Sequence, residues 1–291
     1  MAAKTQTVCR VMRVTRVIRV IARVVLACAP LAASSGCSEP LRIGDDVLWS
    51  ADLETGDLSQ WTDAGEGQTV FNPGDAKASV LDLSRESPDP SMSVEVTSEA
   101  AHGGTHALKL SNPGTEDKRE TGMELLRVVG PAADVFYSAW FMLPEDVELR
   151  PSITIARLRS RNDAGEVLNG EELQLRSLPT GGYVLQIFNN SSAFLREPLP
   201  EQPPHLYAGH WSQIETRYEP QVGGRLRVWL DGKLVYDLTG RPGAAGKDLV
   251  LSICNTGEIF DPAPLDLFVD DIAVTLSRVG PNGTLSAPDE R

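Results

Sequence analysis

Arginine, glutamine and glutamate side chains recur at every second position of several short segments in the middle of the chain. The positions are Arg157 and Arg159, Glu172, Gln174 and Arg176, Gln186, Gln213 and Glu215, and Arg225, Arg227 and Trp229. The residues between them are mostly apolar, a period typical of a β-strand with one buried and one polar face. Guanidinium and amide groups bind carboxylates and hydroxyls, and an indole ring offers a stacking surface. The pattern therefore predicts a binding surface for carbohydrate, if these strands are neighbours. The alternative is a solvated sheet face with ordinary cross-strand charge pairs.

Acidic residues stand near both ends of the same region. Glu54 follows the first predicted strand within Asp52–Asp57, and Asp271 lies with Asp270 in the last one. Hard oxygen ligands of this kind suit Ca²⁺. A shared ion would join the first strand to the last. The alternative is that these acids are turn and edge residues on a solvated surface.

Motifs for catalysis are lacking. The four histidines show no metal-binding spacing, and there is no nucleophile elbow, phosphate loop or paired-carboxylate motif. The residue pattern alone therefore does not establish an enzyme.

The elements that would position these side chains are about a dozen short β-strands separated by Gly, Pro, Asn and Asp. No segment shows a helical period over ten residues. Asp231-Gly232 between two strands predicts a type I′ hairpin turn. Together these features predict an all-β fold, an antiparallel β-sandwich jelly roll spanning residues 47–276, followed by a polar tail at 277–291.

The first 37 residues read as a targeting segment. A basic stretch to Arg23 precedes an apolar run of about ten residues, which is too short to span a bilayer, and then Ser34-Ser35-Gly36-Cys37. We expect Cys37 to be lipidated after cleavage, with 38–46 as a tether, so that the protein is exported and anchored to a membrane. The alternative is an ordinary signal peptide, and translation could also begin at Met12.

Charge and cysteine content narrow the possible partners. Removing the six basic residues of 1–37 leaves 21 basic against 40 acidic residues, a formal charge of −19. Such a surface repels nucleic acid. Cys254 alone remains after Cys37, which excludes an internal disulfide and indicates a buried, inert thiol. We expect a monomer.

Three motifs carry a family resemblance. Trp49–Trp61, His102–Leu110 and Leu267–Val274 resemble the framing motifs of concanavalin A-like jelly rolls and carbohydrate-binding modules. Two further segments, Tyr137–Asp146 and His210–Gly232, are similar to the heparin-lyase and glucuronan-lyase-like branch.

The resemblance implies a polysaccharide-binding groove and β-elimination at a uronate sugar. It implies that Glu54 and Asp271 bind Ca²⁺ with backbone oxygens near 103–105. It also implies that Arg157, Arg159 and Gln186 neutralise the uronate carboxylate, with Tyr218 or His210 as base. Four residues complete the predicted substrate surface: Gln174, Glu215, Arg227 and Trp229. The alternatives are a non-catalytic carbohydrate-binding protein and a surface adhesion or scaffold protein.

Overall fold

The computed structural model describes residues 46–62, 80–82, 92–114, 121–130, 135–164, 166–190, 195–242, 246 and 248–283. The predictions for residues 1–37, including lipidation of Cys37, lie outside these ranges and stay predictions. The described residues all belong to one unit, Cys37–Arg291. No helix in the described part is long and apolar enough to cross a membrane.

The described residues form sixteen strands and one four-residue helix. They are β1 (Val47–Ala51), α1 (Ser59–Thr62), β2 (Val80–Asp82), β3 (Ser93–Thr97), β4 (Ala107–Asn112), β5 (Thr121–Gly130), β6 (Phe136–Met142), β7 (Glu148–Arg161), β8 (Val167–Ser177), β9 (Tyr183–Asn189), β10 (Leu195–Arg196), β11 (His205–Leu206), β12 (Ser212–Tyr218), β13 (Val222–Leu230), β14 (Lys233–Pro242), β15 (Asp248–Asp261) and β16 (Leu265–Thr275).

These strands form two antiparallel sheets. The first has the order β14-β13-β12-β6-β16-β4-β3, with β1 also paired to β16. The second has the order β10-β9-β8-β7-β15-β5-β2, with β11 also paired to β9. The structure therefore confirms the predicted β-sandwich jelly roll.

The apolar side chains of the alternating pattern fill the space between the two sheets. Leu158, Leu173 and Ile253 from the second sheet share one buried cluster with Ile214 and Val228 from the first. Since successive side chains of a strand point to opposite faces, the polar partners of these residues lie on the outer faces of the sandwich.

The hairpin predicted at Asp231-Gly232 joins β13 to β14. Asp231 and Gly232 have φ angles of 49° and 79°, as a type I′ turn requires. The Asp231 carboxylate accepts a hydrogen bond of 2.8 Å from the backbone N–H of Gln213, so the turn also contacts β12.

Candidate functional site

The outer face of the second sheet brings four of the predicted binding residues together. Arg157 and Arg159 lie on β7, Gln174 on β8 and Gln186 on β9. Gln174 is directly opposite Gln186, and Arg157 is opposite Glu172. We refer to the outer face of β7, β8, β9, β10 and β11 as the arginine–glutamine face.

The two β7 arginines take part in a buried ion-pair network. Arg157 donates to Glu172 at 3.0 Å and to Glu124 at 2.9 Å. Arg159 donates to the other oxygen of Glu124 and to the hydroxyl of Ser252. Two carboxylates thus already balance the two guanidinium charges, and the Glu124 side chain is 0% exposed. The predicted role of Arg157 and Arg159, neutralising a substrate carboxylate, does not fit this pairing.

Two other arginines on this face, Arg176 and Arg196, contact glutamine side chains and not carboxylates. Arg176 donates to the Gln186 side chain at 3.3 Å, and Arg196 donates to that of Gln174 at 3.5 Å. Neither guanidinium forms an ion pair with another residue of the described part. The Arg196 guanidinium also lies 5.9 Å from the ring centroid of Phe188.

The sequence pattern places Arg176 in the same polar alternation as Glu172 and Gln174, but neither Arg176 nor Arg196 is among the predicted substrate-binding residues. Arg196 lies on β10, which has two residues and therefore shows no period.

The remaining predicted binding residues lie on the opposite side of the sandwich. Glu215, Arg227 and Trp229 belong to β12 and β13 of the first sheet. The Glu215 carboxylate accepts hydrogen bonds from Arg278 and from the Val279 backbone, at 2.9 and 2.7 Å. The prediction that all these side chains converge on one site is therefore wrong, because the strands that carry them join different sheets.

Neither predicted catalytic residue lies on the arginine–glutamine face. Tyr218 points into the core with 1% exposure, and burial raises the pKa of its hydroxyl, as does the nearby Glu171 carboxylate. A buried phenol of raised pKa is a poor base. His210 is exposed on the turn before β12, where its ring lies 2.9 Å from the Ala208 carbonyl oxygen.

Strand register places a different histidine on the arginine–glutamine face, at the edge of β9. His205 on β11 is opposite Val184 of β9, and Val184 is in turn opposite Arg176 of β8. The neighbouring Leu206 side chain belongs to the core cluster, so the alternation assigns His205 to the outer side. The sequence places His205 in a Pro-rich loop, and the two-residue strand that pairs it with β9 had no periodic signal.

The predicted calcium ligands both contact the turn of residues 102–106. Glu54 accepts hydrogen bonds from the backbone N–H groups of Thr105 and His106, at 2.8 and 2.9 Å. Asp271 lies 2.8 Å from the His102 ring nitrogen. The described residues include no group of three or more acidic, histidine or cysteine side chains that could hold a metal. The calcium site therefore stays a prediction, in which the ion would have to replace some of these hydrogen bonds.

Asp270 of β16 also forms hydrogen bonds with the turn of residues 102–106. Its Oδ2 accepts hydrogen bonds from the backbone N–H groups of His102 and Gly103, at 2.8 and 3.1 Å. Burial, with the adjacent Asp271 carboxylate, raises the pKa of Asp270 to about 7, although these hydrogen bonds act in the opposite direction. The turn thus connects the chain after β1, through Glu54, to β16.

Solved structures resemble this fold. Cellulose-induced protein Cip1 is 15% identical, over 79% of this chain and 98% of its own, with a TM-score of 0.52. An endo-β-1,4-glucuronan lyase from the fungus Trichoderma reesei is 14% identical, over 68% and 92%, with a TM-score of 0.49. An alginate lyase from Chlorella virus is 14% identical, over 63% and 89%, with a TM-score of 0.41. Comparison of the sequence with protein-family models and with curated proteins gives no match.

Removing the charge of Glu124 should strongly destabilise the fold. Glu124→Gln leaves Arg157 and Arg159 with one carboxylate between them in a buried setting, and we expect the free energy of unfolding to fall by about 3–5 kcal/mol. Asp237→Asn is the matched control, since it breaks an exposed pair with Arg225 and should cost about 0–1 kcal/mol. Urea unfolding measures the stability of both variants. An equal loss of unfolding free energy in the two would contradict a stabilising role for the buried network.

Calcium should stabilise the turn of residues 102–106. We expect added Ca²⁺ to raise the unfolding temperature of the wild-type protein and a chelator to lower it, because ligand binding to the native state adds to its stability. Glu54→Gln should abolish the shift, whereas Asp52→Asn should keep it. A wild-type melting curve that is identical with Ca²⁺ and with chelator would reject the calcium prediction.

Proposed function

We propose that the protein binds a carboxylate-bearing polysaccharide along the arginine–glutamine face. The observation that carries this proposal is the setting of Arg176 and Arg196. Their guanidinium groups are held by the amide oxygens of Gln186 and Gln174, and neither is paired with a described carboxylate. In a chain with a formal charge of −19 without residues 1–37, two such cations favour an anionic ligand at this place.

The arrangement of the face suits an extended chain of sugars. Arg196 is opposite Phe188 and His205 is opposite Val184, so both lie along the same edge of β9. Four residues of strand separate these positions by about 13 Å. Gln186 lies between them, and its Nε2 donates to the Glu197 carbonyl oxygen at 2.9 Å. Cations, amides and an aromatic ring therefore alternate along one line, where carboxylates, hydroxyls and sugar faces could be bound in turn.

The buried network beneath this line has a supporting role. Glu172 accepts hydrogen bonds from Arg157, Thr154, Asn190 and Gln174, at 3.0–3.1 Å. Gln174 in turn contacts Arg196. We infer that Glu124 and Glu172 fix Arg157 and Gln174, and that Gln174 orients Arg196 toward the ligand. A binding group held by such packing loses less conformational entropy when the ligand arrives.

Replacing the amide-held arginines should weaken polysaccharide binding. Arg176→Ala and Arg196→Ala each remove a charge-assisted hydrogen bond, typically worth about 1.5–3 kcal/mol, so we expect at least a tenfold loss of affinity for polyglucuronate or alginate. The dependence of affinity on salt should also become weaker. Calorimetry of the purified protein with each polymer measures both effects.

The matched control is Arg225→Ala, which removes a half-exposed arginine from the first sheet. Its affinity should equal that of the wild type. Equal losses in all three variants would indicate a general charge effect and contradict a site on this face, as would failure of the wild type to bind any carboxylated polymer.

A second candidate function is cleavage of the bound polymer by β-elimination, and the register of His205 favours it. A cation at the uronate carboxylate acidifies the proton on C5, and a neutral imidazole can accept that proton. The C5–H electron pair then forms the C4–C5 double bond, the C4–O bond breaks, and the departing glycosidic oxygen takes a proton from the imidazolium or from water. Arg176 shares a cross-strand row with His205 through Val184, which makes it the candidate for the neutralising group.

If the protein is a lyase, His205→Asn should remove activity while preserving binding. The unsaturated product absorbs in the ultraviolet, so its formation from glucuronan, alginate or heparin-type polymers is followed directly. We expect at least a hundredfold loss of kcat in His205→Asn, in line with the usual contribution of a general base. His210→Asn is the control and should keep full activity. Absence of product from the wild-type protein on every polymer leaves the binding function alone.

A further inference from the structure

Tyr207 is an exposed aromatic side chain at the end of the arginine–glutamine face. Its exposed fraction is 58%, whereas its neighbour Leu206 is 6% exposed. His205 is also exposed, so the alternation that assigns His205 to the outer side of the sheet assigns Tyr207 to it as well. A Cβ atom at Gly182, just before β9, would lie 3.2 Å from Cδ1 of the Tyr207 ring. The ring therefore lies against the turn that joins β8 to β9.

This position continues the line of groups along β9. Arg196, Gln186 and His205 follow one another on that line, toward the first residue of β9. Two more residues of extended chain, about 7 Å, lead from His205 to Tyr207. A polymer that lies along the line therefore reaches the Tyr207 ring directly after His205, on the side away from Arg196.

The Tyr207 ring is accessible to a ligand. The rings of His205 and His210 each lie 6.4 Å from it, centroid to centroid, and are inclined to it by 44° and 72°. Neither histidine is parallel to the tyrosine, so neither covers it by face-to-face stacking. A Cβ atom at Gly181 in the adjoining turn would meet no atom within 4 Å, so the surface beside the ring is open as well.

An exposed aromatic ring in this place is suited to one part of a sugar. The faces of a pyranose ring carry C–H groups that pack on an aromatic ring, while its hydroxyls stay hydrated. A phenol brings no positive charge for the carboxylate of a uronate residue. Arg196 and Tyr207 would therefore recognise different features of the same polymer, its charge and its sugar ring.

We propose that Tyr207 is a stacking subsite for the sugar residue next to the one bound at His205. The inference rests on the proposed function, because the polymer must first lie along the arginine–glutamine face. It adds an uncharged contact at one end of that face, which limits the positions that the polymer can take along the line. If the protein is a lyase, Tyr207 acts as a positioning residue for the sugar at His205.

Replacing Tyr207 on the purified full chain tests the proposal, with polyglucuronate and alginate as ligands in calorimetry. Tyr207→Ala removes the ring and should weaken binding about fivefold, in line with the usual strength of aromatic contacts. Tyr207→Phe keeps the ring and should bind like the wild type. The salt dependence of affinity should stay unchanged in Tyr207→Ala, whereas Arg196→Ala should reduce it.

A second measurement reports the stacking itself. Ring currents should shift the C–H proton resonances of a bound uronate hexasaccharide upfield with the wild type and with Tyr207→Phe, but not with Tyr207→Ala. Val222→Ala is the control for loss of an exposed apolar side chain, since Val222 is 78% exposed on the first sheet, and it should bind as the wild type does.

The outcomes separate this inference from the proposed function. If the wild type binds a polymer and Tyr207→Ala keeps full affinity, the stacking subsite is rejected and the proposed function stands. If Tyr207→Phe loses as much affinity as Tyr207→Ala, the hydroxyl and not the ring makes the contact, which also rejects stacking. If the wild type binds neither polymer, both proposals fail.

Discussion

Packing between the two sheets is the constraint on which the rest of this structure depends. Each buried leucine, isoleucine or valine contributes about 1.5–3 kcal/mol, so the inner faces of the strands are kept apolar. One buried ion pair crosses between the sheets. Arg241 of β14 donates two hydrogen bonds, of 2.8 and 2.7 Å, to Glu171 of β8 and so links the two sheets. Functional side chains are consequently confined to the two outer faces.

The arginines on the outer face of the second sheet occur in two settings. Glu124 and Glu172 neutralise Arg157 and Arg159 in a buried network of ion pairs, which stabilises the centre of the sheet. Arg176 and Arg196 lie toward the edge, where amide oxygens orient them without neutralising them. The same residue type therefore has a structural role in the centre of the face, and a different role, ligand binding, is proposed for it closer to the edge. The two pairs of arginines differ in their hydrogen-bond partners, which are carboxylates in the first pair and amide oxygens in the second.

The first sheet presents a different outer surface. Arg278 and Val279 cover Glu215, and the Arg278 guanidinium lies 4.6 Å from the ring centroid of Trp229, which leaves that tryptophan buried. The chain then continues to Gly283 along a pocket on this outer surface, which Trp140, Gln213 and His102 also line. The 102–106 turn closes the same pocket through His102, so the contacts that join the first and last strands also shape its wall.

The sequence by itself determined the fold class, the type I′ turn and the face of each strand that is polar, because these follow from local periods and turn chemistry. The alternation of Gln213, Glu215 and Arg217 also predicts that Tyr218 lies on the inner side, a position that does not suit a base for a bound polymer. What only the tertiary structure decided is which strands are neighbours. β7 pairs with the distant β15 and β12 with β6, and this pairing separated Arg157 from Glu215 and brought Arg196 and His205 to the edge of β9. A period-two pattern does not predict which strands pair over a long sequence distance, because strands of both sheets show the same period.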